Sequence, residues 1–135
     1  MMYKITVATD NKTELKDITF DVNRLVEREN IKDGICVLYL PHTTAALVIN
    51  ENYDPSVKND IMGWLGRNIP STGNYSHLEG NADAHIKSSI VGNSLILIVE
   101  NGRIMLGKWQ GIFLAEFDGP RTREVWVKFI SESRR

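Results

Sequence analysis

The chain has a single cysteine, Cys36, and so cannot form an internal disulfide. That excludes a stapled secreted scaffold and sets a reducing compartment, the cytoplasm, as the expected location. It has no apolar run long enough to span a bilayer. Its first residues, Met1-Met2-Tyr3-Lys4-Ile5-Thr6, alternate polar with apolar and lack the continuous apolar segment of a secretory signal. It has almost no net charge: 16 basic against 17 acidic residues leave a formal −1. No global field therefore holds it on nucleic acid or an anionic membrane, and an anionic ligand has to be gripped locally. GxxxxGK, GxGxxG and GxSxG patterns are all missing, which argues against P-loop phosphotransfer and serine hydrolysis. There is no repeat and no linker, so the 135 residues read as one domain, 1–135, large enough for a real core.

What is present reads in order as follows. Residues 3–9 alternate, with Tyr3, Ile5 and Val7 on one face, and Asp10-Asn11 suggest a hairpin into a short strand over 13–18. Thr19 is placed to cap a helix starting at Phe20, whose stripe is Ile18, Val22, Leu25 and Val26. Residues 35–40 are almost wholly apolar, as in a central strand covered on both faces, and make Cys36 a buried strand thiol. Pro41 closes that strand, and His42-Thr43-Thr44 leads into another over 45–50. Asp54-Pro55 is a strong helix start, and Val57, Ile61, Trp64 and Leu65 recur at helical spacing up to Ile69-Pro70. Residues 71–80 form a polar loop, a lid or site wall. Asn81 is positioned to cap a third helix to about Val91, whose stripe of Ala82, His85, Ile86, Ser89 and Ile90 turns His85 inward. Residues 94–100 form a strand, Asn101-Gly102 is a hairpin turn, and the returning strand is interrupted by a bulge or corner at 107–111 before Ile112 and Leu114. Val125, Val127 and Phe129 mark the last strand, and the polar tail 131–135 reads as a fraying end. The outline is two strands, a helix, two strands, two helices and three antiparallel strands.

Two of the chain's 3 histidines stand within the nine residues 77–85, together with Glu79, Asn81 and Asp83. Neutral imidazoles are the usual nitrogen ligands of zinc, so His42, His77 and His85 are a candidate metal set if the fold brings them together. Their spacing matches neither HExxH nor a finger, and an exposed His77, a core His85 and a strand-capping His42 are the commoner explanation from composition alone. Arg121 and Arg123 flank the Gly119-Pro120 turn and suit a phosphate or carboxylate, though arginines beside a turn are commonly just solvated. Glu51, after an apolar strand, and Glu79 are candidates for acid–base work. Trp109 and Gln110 are candidate ligand contacts.

His42-Thr43-Thr44, Asn50-Glu51, residues 77–85, Leu106-Gly107-Lys108-Trp109-Gln110 and Glu116-Phe117-Asp118-Gly119-Pro120-Arg121, in that order, resemble the YjbQ-like (UPF0047) family. The resemblance implies an α+β fold of two antiparallel β-sheets with three helices, assembled as a homotrimer. It also implies an activity of the thiamine-phosphate synthase type: transfer of a pyrimidine group to a thiazole phosphate with release of pyrophosphate. The alternative is a non-catalytic binding module for a phosphorylated metabolite or a metal. On this reading His42, His77 and His85 hold a divalent metal, zinc or magnesium, with Glu51 as base or orienting group. Arg121, Arg123, Asn81, Trp109 and Gln110 contact a small-molecule phosphate ligand, near subunit interfaces. Lys108 departs from the family pattern, which has a small hydroxyl residue there.

Overall fold

A computed structural model describes residues 1–132. The chain runs β1 (Met2–Ala8), β2 (Glu14–Asp17), α1 (Thr19–Arg28), β3 (Gly34–Tyr39), β4 (Ala45–Glu51), α2 (Pro55–Asn68), α3 (Ala82–Val91), β5 (Ser94–Glu100), β6 (Arg103–Ile104), β7 (Gln110–Glu116) and β8 (Thr122–Ser131). Two antiparallel sheets result, one ordered β1-β8-β3-β5-β6 and the other β2-β7-β4. The expected α+β architecture with three helices is therefore present. The expected fraying beyond residue 132 lies outside the described residues.

The inner face of the five-stranded sheet carries Val7, Cys36, Leu38, Leu97, Val99, Val125 and Val127, which pack in one cluster with Ala45, Leu47, Ile112 and Leu114 of the smaller sheet. Val22, Leu25 and Val26 of α1 join the same cluster, as the stripe predicts. Burial pushes the Cys36 thiol up to about 12, so it stays an inert core group. The other face of the small sheet, with Ala46, Ala115 and Phe117, is covered by Leu65 of α2 and Ala84 of α3. Asp54 caps α2 by accepting from the Ser56 N–H at 3.0 Å, one residue ahead of Pro55.

Several expectations are corrected. β1 and β2 do not form a hairpin: β1 pairs with β8, while β2 crosses to β7 in the other sheet. The strand covered on both faces is β7, in which every residue from Gly111 to Glu116 is buried. β3 is central, but Ile35 and Tyr39 on its outer face remain 39% and 45% exposed. The strand interrupted at 107–111 is two strands in different sheets, and the Gly107-Lys108-Trp109 segment is the corner between them. Thr19 does not cap α1; its hydroxyl accepts from the Ile112 N–H at 2.9 Å and ties the helix to β7. Trp64, on the helical stripe of α2, is 54% exposed, so the stripe is only partly covered within one chain.

In α3 the buried residues are Ala82, Asp83, Ala84, Lys87 and Ser88, whereas Ile86 is 39% and Ile90 65% exposed. The helix is thus rotated relative to the expected stripe. The cause is an internal ion pair: Lys87 Nζ donates to Asp83 Oδ2 at 2.8 Å one turn away, so two charged residues occupy the packed face. His85 lies on the flank instead of facing the sheet.

Candidate functional site

One end of the small sheet gathers the chain's chemical groups. Ala45 at the start of β4 pairs with Glu116 at the end of β7. The segments entering and leaving this pair, His42-Thr43-Thr44 and Phe117 to Arg121, therefore meet beside the start of α3. His42, Thr43, Thr44, Asn81, His85, Asp118, Arg121 and Arg123 line an open hollow of about 350 Å³. A second hollow of similar volume, on the other side of the His42–His85 wall, is lined by Thr43, Ser88, Ser89 and Asn93. Tyr75, Ser76 and His77 of the 71–80 loop form a third with His85, Ala82 and Ile86. The loop thus walls this third space, and His85 borders all three.

The floor is a buried ion pair. Arg123 donates through Nε to Glu116 Oε1 at 2.9 Å and through Nη2 to Glu116 Oε2. The same Nη2 reaches Thr44 Oγ1 at 2.9 Å. Thr9 Oγ1 and the Asp118 N–H donate to the remaining lone pairs of Glu116, at 2.8 and 3.0 Å. Burial alone would push the Glu116 carboxyl up, but the hydrogen bonds from Arg123, Asp118 and Thr9 hold it below the ordinary carboxylate range. Arg123 is 4% exposed. Much of its hydrogen-bonding capacity is spent inside the protein, so its first role is to hold the β7 and β8 ends and Thr44 together.

Arg121 is the accessible cation. Its Nε donates to the Asp118 carbonyl at 2.7 Å and its Nη2 to Asp118 Oδ2 at 3.0 Å, yet the side chain is 52% exposed. One edge of the guanidinium is docked and the other is open. Asn81 is the N-cap residue of α3, as expected, but its side chain makes no capping hydrogen bond. Its Nδ2 donates to Asp118 Oδ2 at 2.9 Å, which fixes the amide orientation and leaves its buried Oδ1 without a partner. Burial would raise the Asp118 carboxyl, but Asn81 and Arg121 hold it low. Gly119 sits where a Cβ would come within 2.3 Å of the Asn11 carbonyl oxygen, so a side chain there would displace the Arg121 turn.

The three histidines are not equivalent. His42 Nε2 accepts from the Glu124 N–H at 2.9 Å. His77 meets His85 edge-on with ring centroids 5.1 Å apart, and its Nε2 lies 3.9 Å from Glu79 Oε2. Among the described residues, no three His, Cys, Asp or Glu side chains form a group able to hold a metal ion. Within one chain the histidines therefore supply a lining and not a closed metal shell.

Glu51, Trp109 and Gln110 are not brought to this end. Glu51 pairs with Gln110 at the opposite end of the β4–β7 ladder, six residues or about 20 Å from the Ala45–Glu116 pair. Each has a local contact there. Glu51 Oε2 accepts from the Tyr53 N–H at 3.1 Å, and Gln110 Oε1 accepts from the Gly107 N–H at 2.7 Å. Trp109 packs on Tyr53 at 5.1 Å, with Lys108 Nζ 4.8 Å from its ring. The departure at Lys108 is thus absorbed by a cation–π contact. Sequence reasoning missed Thr9, Thr44, Glu116 and Asp118 as site residues. Thr44, Glu116 and Asp118 stood within quoted motifs, whereas nothing local marked Thr9.

A family model described as UPF0047 protein YjbQ-like matches residues 3–132. A UPF0047 protein of Methanocaldococcus jannaschii is 53% identical over 132 residues, covering 98% of this chain and 96% of that protein. UPF0047 protein YugU of Bacillus subtilis is 44% identical, covering 96% of this chain and 99% of its own. Among solved structures, an uncharacterised conserved protein of the same family from Clostridium acetobutylicum superposes with a TM-score of 0.92 at 47% identity, covering 95% of this chain and 99% of that one. A YbjQ-like protein of unknown function from Sulfolobus solfataricus gives 0.91 at 35% identity, covering 98% and 97%.

Proposed function

The chain belongs to the YjbQ-like UPF0047 family, and on that premise we propose that the cleft between His42, His85 and Arg121 binds a phosphorylated small molecule. Its candidate reaction is pyrimidine transfer of the thiamine-phosphate synthase type. The observation that carries the reading is the convergence, around one hollow, of two imidazoles with an arginine that is docked on one edge and open on the other. A guanidinium held by Asp118 meets a phosphate with little ordering left to do. In the transfer, the bond from the pyrimidine methylene carbon to its diphosphate oxygen breaks. The thiazole nitrogen forms the new bond to that carbon, and pyrophosphate leaves with the electron pair. Arg121 meets the charge that builds on the leaving oxygens. His42 and His85 flank the reacting groups. No step is assigned to a resident zinc or magnesium, because the residues do not close a shell for one.

We read the assembly as a homotrimer in the cytoplasm. Support comes from the outer face of the five-stranded sheet, where Ile130, Ile35 and Ile98 form one cross-strand row and Val37 with Ile96 the next. Ile96 is 73% and Ile98 58% exposed, an apolar patch of the kind that marks an interface. Among the described residues no helix is long and apolar enough to cross a membrane. A neighbouring subunit would also give Glu51, Trp109 and Gln110 a route to a histidine cleft that they do not reach within their own chain.

Turnover of the pyrimidine diphosphate and thiazole phosphate, with and without added magnesium or zinc, tests the reaction. We expect Arg121→Ala and His85→Ala each to lower it at least about tenfold. Phosphate binding with no turnover in the native protein would leave the binding module. Turnover unchanged in both variants would remove the cleft as the site.

A further inference from the structure

His42 is the one imidazole of the cleft whose proton can be located without seeing hydrogens. Its Nε2 lies 2.9 Å from the backbone nitrogen of Glu124 in β8. A backbone N–H can only donate, so Nε2 must present its lone pair, and a neutral ring then carries its proton on Nδ1. Reversing the ring would put a carbon where Nε2 now accepts, so the bond sets the ring's orientation together with its tautomer. A second proton would set N–H against N–H.

The surroundings also disfavour a charged ring. Burial and then the neighbouring Arg123 guanidinium hold the His42 imidazole below the ordinary histidine range, against the opposing pull of the Glu124 and Glu116 carboxylates. Asp118 and Arg121 from the turn, His85 from α3 and Glu79 from the loop are the other ionisable groups around this hollow. Among the described residues Nδ1 has no hydrogen-bond partner, and the half-buried side chain that carries it lines both hollows.

We infer that His42 is a fixed, uncharged hydrogen-bond donor that offers Nδ1–H to an anionic oxygen of the bound ligand, and that it is neither a general base nor a metal ligand. This rests on the phosphate reading of the cleft and gives the three histidines different work. To bind a metal through Nδ1, His42 would have to become an imidazolate or give up its bond to Glu124. To act as a base it would need a free lone pair, and its only one is occupied. His85, by contrast, has a tautomer fixed by no hydrogen bond among the described residues.

Isotope-labelled imidazole correlation spectra test this directly on the native protein. The expected result for His42 is Nδ1 protonated and Nε2 bare near neutral pH, with the second proton added only at a pH below that of a free histidine. Added inorganic phosphate shifts the Nδ1–H resonance, and added zinc leaves both His42 nitrogens in place. His42→Gln can still accept from Glu124 but lacks the Nδ1 donor; it is expected to weaken phosphate binding at least about tenfold. His42→Asn, whose amide nitrogen stands near the Nδ1 position, is expected to keep it within about threefold. A bare Nδ1, a protonation midpoint near that of free histidine, or zinc coordination at His42 would overturn the inference. If phosphate binds nowhere in the native protein, the phosphate reading of the cleft fails and the ligand contact with it, while the tautomer spectrum still decides whether His42 is a fixed neutral donor.

Discussion

Replacing Arg123 by methionine removes the partner of a carboxylate that has no access to water. Glu116 is fully buried and Arg123 nearly so. The variant leaves Glu116 with two donors, Thr9 Oγ1 and the Asp118 N–H, and no countercharge. Breaking a buried pair from one side costs about 3–5 kcal/mol. Against a total stability of about 5–15 kcal/mol this is a large fraction. It corresponds to a fall in Tm of roughly 10–20 °C for a domain of this size. Removing both partners, with Glu116→Leu added, is expected to cost less than the single change. With Glu116 gone, the single Thr9 hydroxyl proton can turn to the Arg121 carbonyl, and the Thr44 carbonyl still accepts from Phe117 N–H. The Asp118 N–H is the main group orphaned, worth about 1–3 kcal/mol.

Acidity gives the same experiment a second reading. The folded Glu116 carboxyl is held low, so its contribution is present above the unfolded carboxylate value and is lost as pH falls. In Arg123→Met the largest opposing interaction is gone, burial pushes that carboxyl up, and the sign reverses. The stability gap between native protein and variant is therefore expected to narrow from about pH 6 to about pH 4. Urea denaturation midpoints at fixed m measure all of this. A loss under about 1 kcal/mol in the single variant, or a double variant as unstable as the sum of the two single ones, would refute the reasoning.

Three further outcomes follow from contacts already described. Lys87→Met strands Asp83 in the α3 packing face and is expected to cost about 3–5 kcal/mol, with Asp83→Leu added recovering part of it in the same denaturation assay. Gly119→Ala drives a Cβ into the Asn11 carbonyl; a thermal scan should show a loss of about 1–3 kcal/mol, together with weaker phosphate binding as the Arg121 turn moves. Ile96→Glu places a charge in the exposed apolar row without touching the core. Light scattering is expected to show a smaller assembly with unchanged circular dichroism, and an unchanged mass would remove that sheet face as the subunit contact.

How much of this could be read from residues depends on how local the determining contact is. The Asp54-Pro55 start of α2 and the Asn101-Gly102 turn, with φ of 52° and 76°, are set within a few residues, and both were legible. The α1 stripe was legible because apolar periodicity and burial coincide there. The α3 stripe was not, since assigning charged residues to solvent fails when two charges one turn apart neutralise each other inside the protein. Sheet membership failed for a related reason. Strand existence is a local property, whereas whether β2 pairs with its neighbour or crosses to β7 depends on which partner completes the two facing layers.

The site shows the same limit at shorter range. The residue types were legible: histidines, arginines and an amide in a few rare clusters do mark the cleft. Their division of labour was not, because it is imposed by partners far along the chain. Arg121 and Arg123 look alike in sequence, yet Glu116 consumes much of one and Asp118 orients the other. His42 looks like a metal ligand until the Glu124 N–H, 82 residues away, occupies its Nε2. A backbone group carries no residue identity, so no motif can announce that contact. A tautomer set by main-chain geometry is thus legible only once the fold is known, and it decides whether three histidines are one metal site or three different tools.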